Sequence, residues 1–363
     1  MKIITVVGAR PQVLKAAQLT PWLRKLGFEE FLVHTGQHFS DAMSQAFFRE
    51  FGLREPDAQL DINRMPRGPM IGTMTQALDP IFDREKPSAC LVFGDTNTTL
   101  AGALAAHFRQ IPVVHIEAGL RSYRIEMPEE GNRVLTDRIA HLNLAPNQAA
   151  MANLDSDGLA ETAVLSGDLM ADSLRETLAK VNFEALKTPR GILVTLHREA
   201  LTSSSRDFES VLGVLSELAR SLPVTVIRHP RVDREELTQL LGPSSNVSVI
   251  EPQAHLELVT RSLEAELVIT DSGGLQREAA FLGLNCVVAR SETEWDDLLE
   301  DGVMELMEPG SARLIRQALR LSSNSRDPIK VKEFMQQESV AFQMSIVIQD
   351  SLTQLLTRAV ERG

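Results

Sequence analysis

Cysteine is scarce in this 363-residue chain, which has only Cys90 and Cys286. They lie far apart, each inside an apolar run that reads as a buried strand. The expectation is two inert thiols in a reducing compartment, not a disulfide framework. No run of about 18 apolar residues occurs, so the sequence offers no membrane span. Its start, Met1-Lys2-Ile3-Ile4-Thr5-Val6-Val7-Gly8, is interrupted too soon for a signal peptide and reads as a first strand. A cytoplasmic location is expected. Positive charge is also short. The 37 Lys and Arg stand against 49 Asp and Glu, for a net charge of −12 and a pI near 5.2. General binding to nucleic acid or to an anionic membrane wants the opposite balance, whereas a small anionic ligand held by a few local cations remains compatible.

Two missing motifs narrow the chemistry. Neither the G-x-G-x-x-G dinucleotide fingerprint nor a Walker A loop is present, so NAD and ATP lose ground. His34 and His38 are four apart, but a strand and its following loop separate them, and no other histidines fall at ligand spacing on a common helix. No metal and no cofactor are expected.

What the chain does have is an ordinary globular composition, 43% apolar and 24% charged, at a length that suggests two domains. Short apolar runs at Ile3–Val7, Phe31–His34, Ala89–Phe93, Val113–Ile116, Leu142–Ala145 and Val164–Ser166 read as strands. Helical patterns separate them at Pro11–Leu26, Asp41–Phe51, Pro69–Arg84, Thr98–Arg109, Pro128–Ala140 and Asn147–Leu154. A helix and a polar stretch, Lys180 to Arg190, follow. A second alternating series then places strands at Ile192–Leu196, Val224–Arg228, Val247–Ile250, Leu267–Thr270 and Cys286–Ala289, with helices that include Phe208–Leu222 and Gly274–Leu282. Alternation of this kind means parallel, doubly wound sheets. The expected fold is α/β: a Rossmann-like domain over 1–180, a second over 181–363, and an active-site cleft between them. The last helical segment, from about Val331, is expected to pack back on the first domain.

Candidate chemistry gathers where strands end. His115 to Ala140 begins as the end of a strand, breaks at Gly119 and restarts as a helix at Pro128, a favoured first helical residue. Glu117 sits where the strand opens, and Glu129 and Arg133 lie four apart on one helix face, a spacing that also suits an ordinary helix ion pair. In open α/β sheets the carboxyl ends of strands are where ligands bind. Asp95, in Gly94-Asp95-Thr96-Asn97, follows another strand; capping of the next helix is one reading and an acid or base facing the cleft is the other. The first turn, Gly8-Ala9-Arg10-Pro11, with Lys15 beyond it, joins a helix N-terminus to an arginine fork suited to phosphate. Asp271-Ser272-Gly273-Gly274 opens a helix with approachable backbone amides that suit a diphosphate, and Glu278 lies one turn further on, where a carboxylate can accept from ribose hydroxyls. His197 ends the first strand of the second half, as a proton carrier or a structural partner.

These motifs, taken in order, resemble the non-hydrolysing UDP-N-acetylglucosamine 2-epimerases over nearly the full length. The match includes GARPQ with Lys15, HTGQH at His34–His38, GDTNTTLAGALAA at Gly94–Ala106, and then HIEAGLRS, MPEE, NRVLTD, VTLHR, DSGGLQ and ETEW. The resemblance implies a two-domain, glycosyltransferase-B-like fold, a homodimer, and a role in surface polysaccharide precursor synthesis. It also implies roles for individual residues. Asp95, Glu117 and Glu129 would handle the sugar C2 proton and nearby hydroxyls, and Arg133 would hold Glu129 or the sugar. Lys15 would lie in the same neighbourhood. His197 would contact the sugar diphosphate. Arg10, Ser272, Gly273 and Gly274 would bind the diphosphate, and Glu278 the ribose.

Departures from the family pattern bear on substrate choice. Many members have Glu in place of Gln12, and an Asn close behind His197-Arg198, where this chain reads Glu199-Ala200-Leu201. Glu294-Trp295-Asp296-Asp297 lacks the usual Pro. UDP-2,3-diacetamido-2,3-dideoxy-glucuronate is therefore an alternative to UDP-N-acetylglucosamine. A glycosyltransferase of the same fold is the competing class; it would share Ser272–Gly274 and Glu278 without needing all three carboxylates. In some bacterial relatives a second UDP-N-acetylglucosamine activates the enzyme from a site beside the substrate. Here Gln37, His38 and Arg67 stand at that site, but Gly68 and Pro69 replace its glutamine, so weak or absent activation is expected.

Overall fold

The computed structural model describes residues 1–37, 53–124, 126–195, 205–228, 246–290, 293, 295–299, 304–306, 318, 320–321 and 328–362. The chain forms two compact units, Met1–Ser173 with Glu338–Gly363, and Leu174–Gln337.

The first unit is built on strands β1 (Lys2–Val7), β2 (Glu29–His34), β3 (Ala58–Gln59), β4 (Ala89–Phe93), β5 (Val113–Ile116), β6 (Leu142–Ala145) and β7 (Ala163–Leu165). They make one parallel sheet in the order β3-β2-β1-β4-β5-β6-β7. Its helices are α1 (Arg10–Lys25), α2 (Arg67–Glu85), α3 (Asn97–Phe108), α4 (Pro128–Ile139), α5 (Gln148–Ser156) and the start of α6 (Met170–Leu178), whose residues from Leu174 belong to the second unit. The centre of the sheet is apolar on both faces. All five residues of β4, Ala-Cys-Leu-Val-Phe, are buried, as expected for a parallel strand covered by helices above and below.

The second unit repeats the plan with β8 (Ile192–Thr195), β9 (Val224–Ile227), β10 (Val247–Ile250), β11 (Leu267–Thr270), β12 (Cys286–Val288) and β13 (Met304–Leu306), in the order β10-β9-β8-β11-β12-β13. Its helices include α7 (Ser205–Leu218), α8 (His255–Glu264), α9 (Gly273–Phe281) and α10 (Pro328–Gln336). The final helix, α11 (Val340–Arg362), lies in the first unit. Its Ala341, Met344, Ile348 and Leu352 are buried in the same cluster as Val13, Leu19 and Leu23 of α1. Phe342 meets Trp22 with ring centroids 4.9 Å apart. Asp172 starts the helix, accepting from the backbone of Ala341 at 2.6 Å and of Val340 at 3.2 Å.

Both cysteines are fully buried and free, Cys90 in β4 and Cys286 in β12, and burial pushes both thiols up, that of Cys286 to about 12. Two readings of the sequence need correction. The two-residue strand β3 and the three-residue β13 are too short to show a period. The single last helix is two, α10 and α11, separated near Ser339. The expected helix at Asp41–Phe51 lies outside the described residues.

Candidate active site

In the first sheet the strand order reverses between β1 and β4, the position where doubly wound sheets hold ligands. The turns after these two strands are joined by one buried side chain, Gln12. Its Oε1 accepts from the backbone N–H of Gly8 at 2.8 Å and of Ala9 at 3.1 Å. Its Nε2 donates to the Phe93 carbonyl at 2.8 Å and lies within 3.0 Å of the Thr96 and Thr99 hydroxyls. The turn has no room for more. A Cβ on Gly8 would sit 2.1 Å from Thr35 Oγ1 and 2.2 Å from Thr98 Oγ1. The sequence pointed to this helix start as an anion site with open amides. Gln12 already fills the Gly8 and Ala9 N–H groups that precede it. Arg10, exposed at the start of α1, is the cation that the turn presents.

Two ion pairs stand at the ends of β4 and β5. Lys15 from α1, 4% exposed, pairs with Glu117. Glu117 has φ of +68°, a left-handed conformation uncommon for a residue with a Cβ. Asp95 pairs with Arg133 of α4. The cap of α3 is Thr96 rather than Asp95, so the Asp95 carboxylate is not used on the helix end. Arg133 also pairs with Glu130, three residues earlier, at 2.8 Å. Of the two expectations for Arg133, Glu129 or the sugar, the first is corrected, because Glu130 is the carboxylate that turns inward. It accepts from Ser122 N–H at 2.8 Å, Ser122 Oγ at 2.7 Å and Tyr123 N–H at 3.1 Å. Burial works to raise the Glu130 carboxyl, but these donors and Arg133 outweigh it and hold the group below its ordinary range. Glu129 is half-buried in the first turn of α4, and its side chain makes no hydrogen bond or ion pair with the described residues.

Sequence reasoning missed the role of His115. The ring is fully buried, with Nε2 2.7 Å from the Gly94 carbonyl and Nδ1 2.7 Å from Asp137 Oδ1. Asp137 Oδ2 accepts from Gly119 N–H at 3.2 Å and pairs with Arg121 at 2.7 Å; Arg121 reaches on to Asp157 at 2.7 Å. Burial raises the Asp137 carboxyl, while the His115 hydrogen bond and the Arg121 guanidinium prevail and keep it low. The only signal in the sequence was a histidine two residues before Glu117 inside an apolar strand.

In the second unit the strand order reverses between β8 and β11. Ser272, Gly273 and Gly274 open α9 directly after β11. Ser272 is the N-cap, its Oγ accepting from Leu275 N–H at 3.4 Å. The amides of Gly273 and Gly274 belong to the first turn, where no intrahelical acceptor exists. A Cβ on Gly274 would meet nothing nearer than Ser272 Oγ at 3.7 Å. Glu278 is buried and accepts from His255 Nε2 at 2.7 Å, and His255 Nδ1 lies 3.1 Å from the Thr177 hydroxyl. Gln276 bonds Thr293 at 3.0 Å, and the Arg277 guanidinium lies 4.5 Å from the centre of the Trp295 ring. His197, with Arg198, Glu199 and Ala200, lies outside the described residues.

Of the residues read as regulatory, Gln37 Oε1 accepts from the backbone and hydroxyl of Thr98 at 2.9 and 2.8 Å. Arg67 donates to Asn132 Oδ1 at 2.8 Å, and Asn132 Nδ2 donates to the Asp95 carbonyl at 2.8 Å. His38 lies outside the described residues.

Two parallel, helix-flanked sheets, each with polar side chains at the strand ends where its order reverses, define a two-domain protein of the glycosyltransferase-B-like kind. Residues 23–341 match the family model described as UDP-N-acetylglucosamine 2-epimerase, and the chain belongs to that family of isomerases. It is 41% identical over 320 residues to the UDP-2,3-diacetamido-2,3-dideoxy-D-glucuronate 2-epimerase of Pseudomonas aeruginosa, covering 86% of this chain and 89% of that protein. It is 33% identical over 353 residues to the UDP-N-acetylglucosamine 2-epimerase of Escherichia coli K12, covering 90% and 92%. Among solved structures, the Methanocaldococcus jannaschii UDP-GlcNAc 2-epimerase in complex with UDP-GlcNAc and UDP superposes with a TM-score of 0.81 at 29% identity, over 96% of this chain and 99% of that one. In addition, no described helix is long and apolar enough to cross a membrane.

Proposed function

We propose that this protein inverts C2 of a UDP-2-acetamido sugar, interconverting UDP-N-acetylglucosamine and UDP-N-acetylmannosamine. The observation that carries the reading is the pair of ion pairs, Lys15–Glu117 and Arg133–Asp95, at the ends of adjacent strands of one sheet. The C2 hydrogen of such a sugar has no carbonyl beside it and is not acidic. Inversion needs either oxidation or elimination. The sequence has no dinucleotide fingerprint, which favours elimination. A carboxylate removes the C2 proton, the electron pair forms the C1–C2 double bond, and the C1–O bond breaks with its electrons leaving on UDP. Return of UDP to C1, with proton delivery to the opposite face of C2, completes the inversion.

Asp95, Glu117 and Glu129 are the groups proposed to move protons, with Lys15 and Arg133 setting the charge of the first two. Arg10, Ser272, Gly273 and Gly274 are proposed to hold the diphosphate that must be retained between steps, and Glu278 the ribose. A homodimer in the cytoplasm, supplying a precursor of surface polysaccharide, completes the proposal. Incubation with UDP-N-acetylglucosamine in deuterium oxide tests it by NMR. The manno product should carry deuterium at C2, and a product that keeps its original hydrogen there overturns elimination.

The higher identity to the Pseudomonas aeruginosa enzyme favours a second reading, with UDP-2,3-diacetamido-2,3-dideoxy-glucuronate as substrate. Turnover of that compound, with none of UDP-N-acetylglucosamine, would select it. Either way, Gln37 and Arg67 being engaged by Thr98 and Asn132 supports weak effector activation. The reverse reaction, begun without UDP-N-acetylglucosamine, should start without a lag.

A further inference from the structure

His115 sits between the two turns that carry the proposed catalytic carboxylates. It lies in β5 two residues before Glu117, and its Nε2 meets the carbonyl of Gly94, the residue before Asp95. A carbonyl oxygen can only accept, so Nε2 donates. Its Nδ1 meets Asp137, which accepts from Gly119 N–H and pairs with Arg121. A carboxylate already serving two donors is ionised and accepts here too, so Nδ1 also donates. Each ring nitrogen thus faces an acceptor, and the ring has no exposed surface. Beyond it, Arg121 joins the buried Asp137 to the half-buried Asp157 in one network.

The ring has one further effect. Gly94 has φ of +63° and Glu117 φ of +68°. Both turns bend through the left-handed region, and the backbone there is fixed only if something holds it. The Gly94 amide donates to the Ile116 carbonyl at 2.8 Å, and His115 grips the Gly94 carbonyl from the same strand. On its other side the ring holds Asp137 of α4, the helix whose Arg133 pairs with Asp95. Three backbone segments that bear Asp95, Glu117 and Arg133 are thus tied to a single ring.

We infer that His115 is a positioning residue: by donating from both ring nitrogens it fixes the Gly94–Asp95 turn and α4 against β5, and sets a fixed positive charge beneath the proposed proton-moving carboxylates. This rests on the reading of Asp95 and Glu117 given above. Glutamine can donate to one of the two acceptors but turns a carbonyl oxygen toward the other. His115→Gln should lower kcat about tenfold to a hundredfold, as loss of a supporting hydrogen-bond partner commonly does, with UDP affinity by calorimetry unchanged. Asp137→Asn, which keeps the contact to Gly94, should lose less. Isotope-labelled histidine in the wild-type protein should give two ring N–H signals for His115 at neutral pH, and that measurement needs no variant to fold and no substrate. A single ring N–H signal overturns the inference, as does a folded His115→Gln with wild-type kcat or with UDP affinity lost in step with kcat. If the wild-type protein epimerises no UDP-sugar, the functional reading fails, and the ring signals still decide whether the clamp exists.

Discussion

Lys15 and Glu117 lie 102 positions apart in the chain and form a buried ion pair. The lysine comes from the helix after β1 and the glutamate from the end of β5, so the pair exists only once strands β1, β4 and β5 are in register. It also holds Glu117 in its left-handed conformation, a strain of about 1–3 kcal/mol. That strain, held at a strand end, supports the proton-moving role proposed for Glu117.

Replacing that carboxylate should separate chemistry from binding. Asp95→Asn and Glu117→Gln should each lose about a hundredfold or more in rate, the scale of a lost general acid or base, and retain UDP affinity. Turnover and calorimetry on the same samples check this. Loss of UDP binding in either variant would show that the carboxylates bind nucleotide.

Ser272→Asp should do the reverse. Aspartate is as good an N-cap as serine, so α9 and the thermal midpoint should persist. Its charge faces the position proposed for the diphosphate, and UDP binding should fall below detection by calorimetry. Undiminished affinity would remove the Ser272–Gly274 turn from the binding site.

Gln12→Glu probes the clamp between the turns after β1 and β4. The new side chain can still accept from Gly8 and Ala9, but it has nothing to donate to the Phe93 carbonyl, and it is 2% exposed. Thr99 Oγ1 still donates to that carbonyl at 2.6 Å, so the loss is that of one buried hydrogen bond, about 0.5–1.5 kcal/mol, and chemical denaturation should show a loss of that order. An unchanged midpoint would mean that the threonine hydroxyls nearby take over.

Stability should fall as pH falls, beginning above the carboxylate range. Burial lowers His34 from 6.5 to about 4, against an opposing pull from Asp61, and burial lowers His141 as well. A histidine whose folded value is depressed binds more protons unfolded than folded. Its contribution is complete above about 6.5 and is lost on acidification toward 4. For His34 that is up to about 3 kcal/mol. Asp137 and Glu130, both held low, lose their contributions further down, as pH falls through their folded values. Thermal midpoints between about pH 7 and 4 should decline in the wild type and decline less in His34→Gln. Parallel profiles would assign the slope to other groups.

Much of this was legible in the sequence. Continuous apolar runs such as Ala89–Phe93 and Leu267–Thr270 appear as strands with the expected bounds, because a strand buried on both faces must be apolar throughout. The carboxyl ends of β4, β5 and β11 were legible as candidate sites for the same reason: polar residues stop the runs abruptly. Partner choice was not legible. Glu129 and Glu130 are adjacent in sequence, and only the path of the Ser122–Tyr123 loop decides which one Arg133 meets. Gln12 and His115 were hidden because a side chain that serves several backbone groups leaves no spacing to find.

The last helix gives the molecule a history as well as a shape. Asp172 and Ser339, which meet at its start, are 167 positions apart. At about 5–20 residues per second, a ribosome that has finished the first sheet works for roughly 10–30 s before it releases the segment that covers Leu19 and Leu23. During that interval the nascent first unit carries an apolar seam where Ile348 and Leu352 will lie. The first half to be synthesised is thus among the last to be complete. Chaperones that shield nascent chains, and any lesion near the end of the message, act first on the unit that bears Asp95 and Glu117.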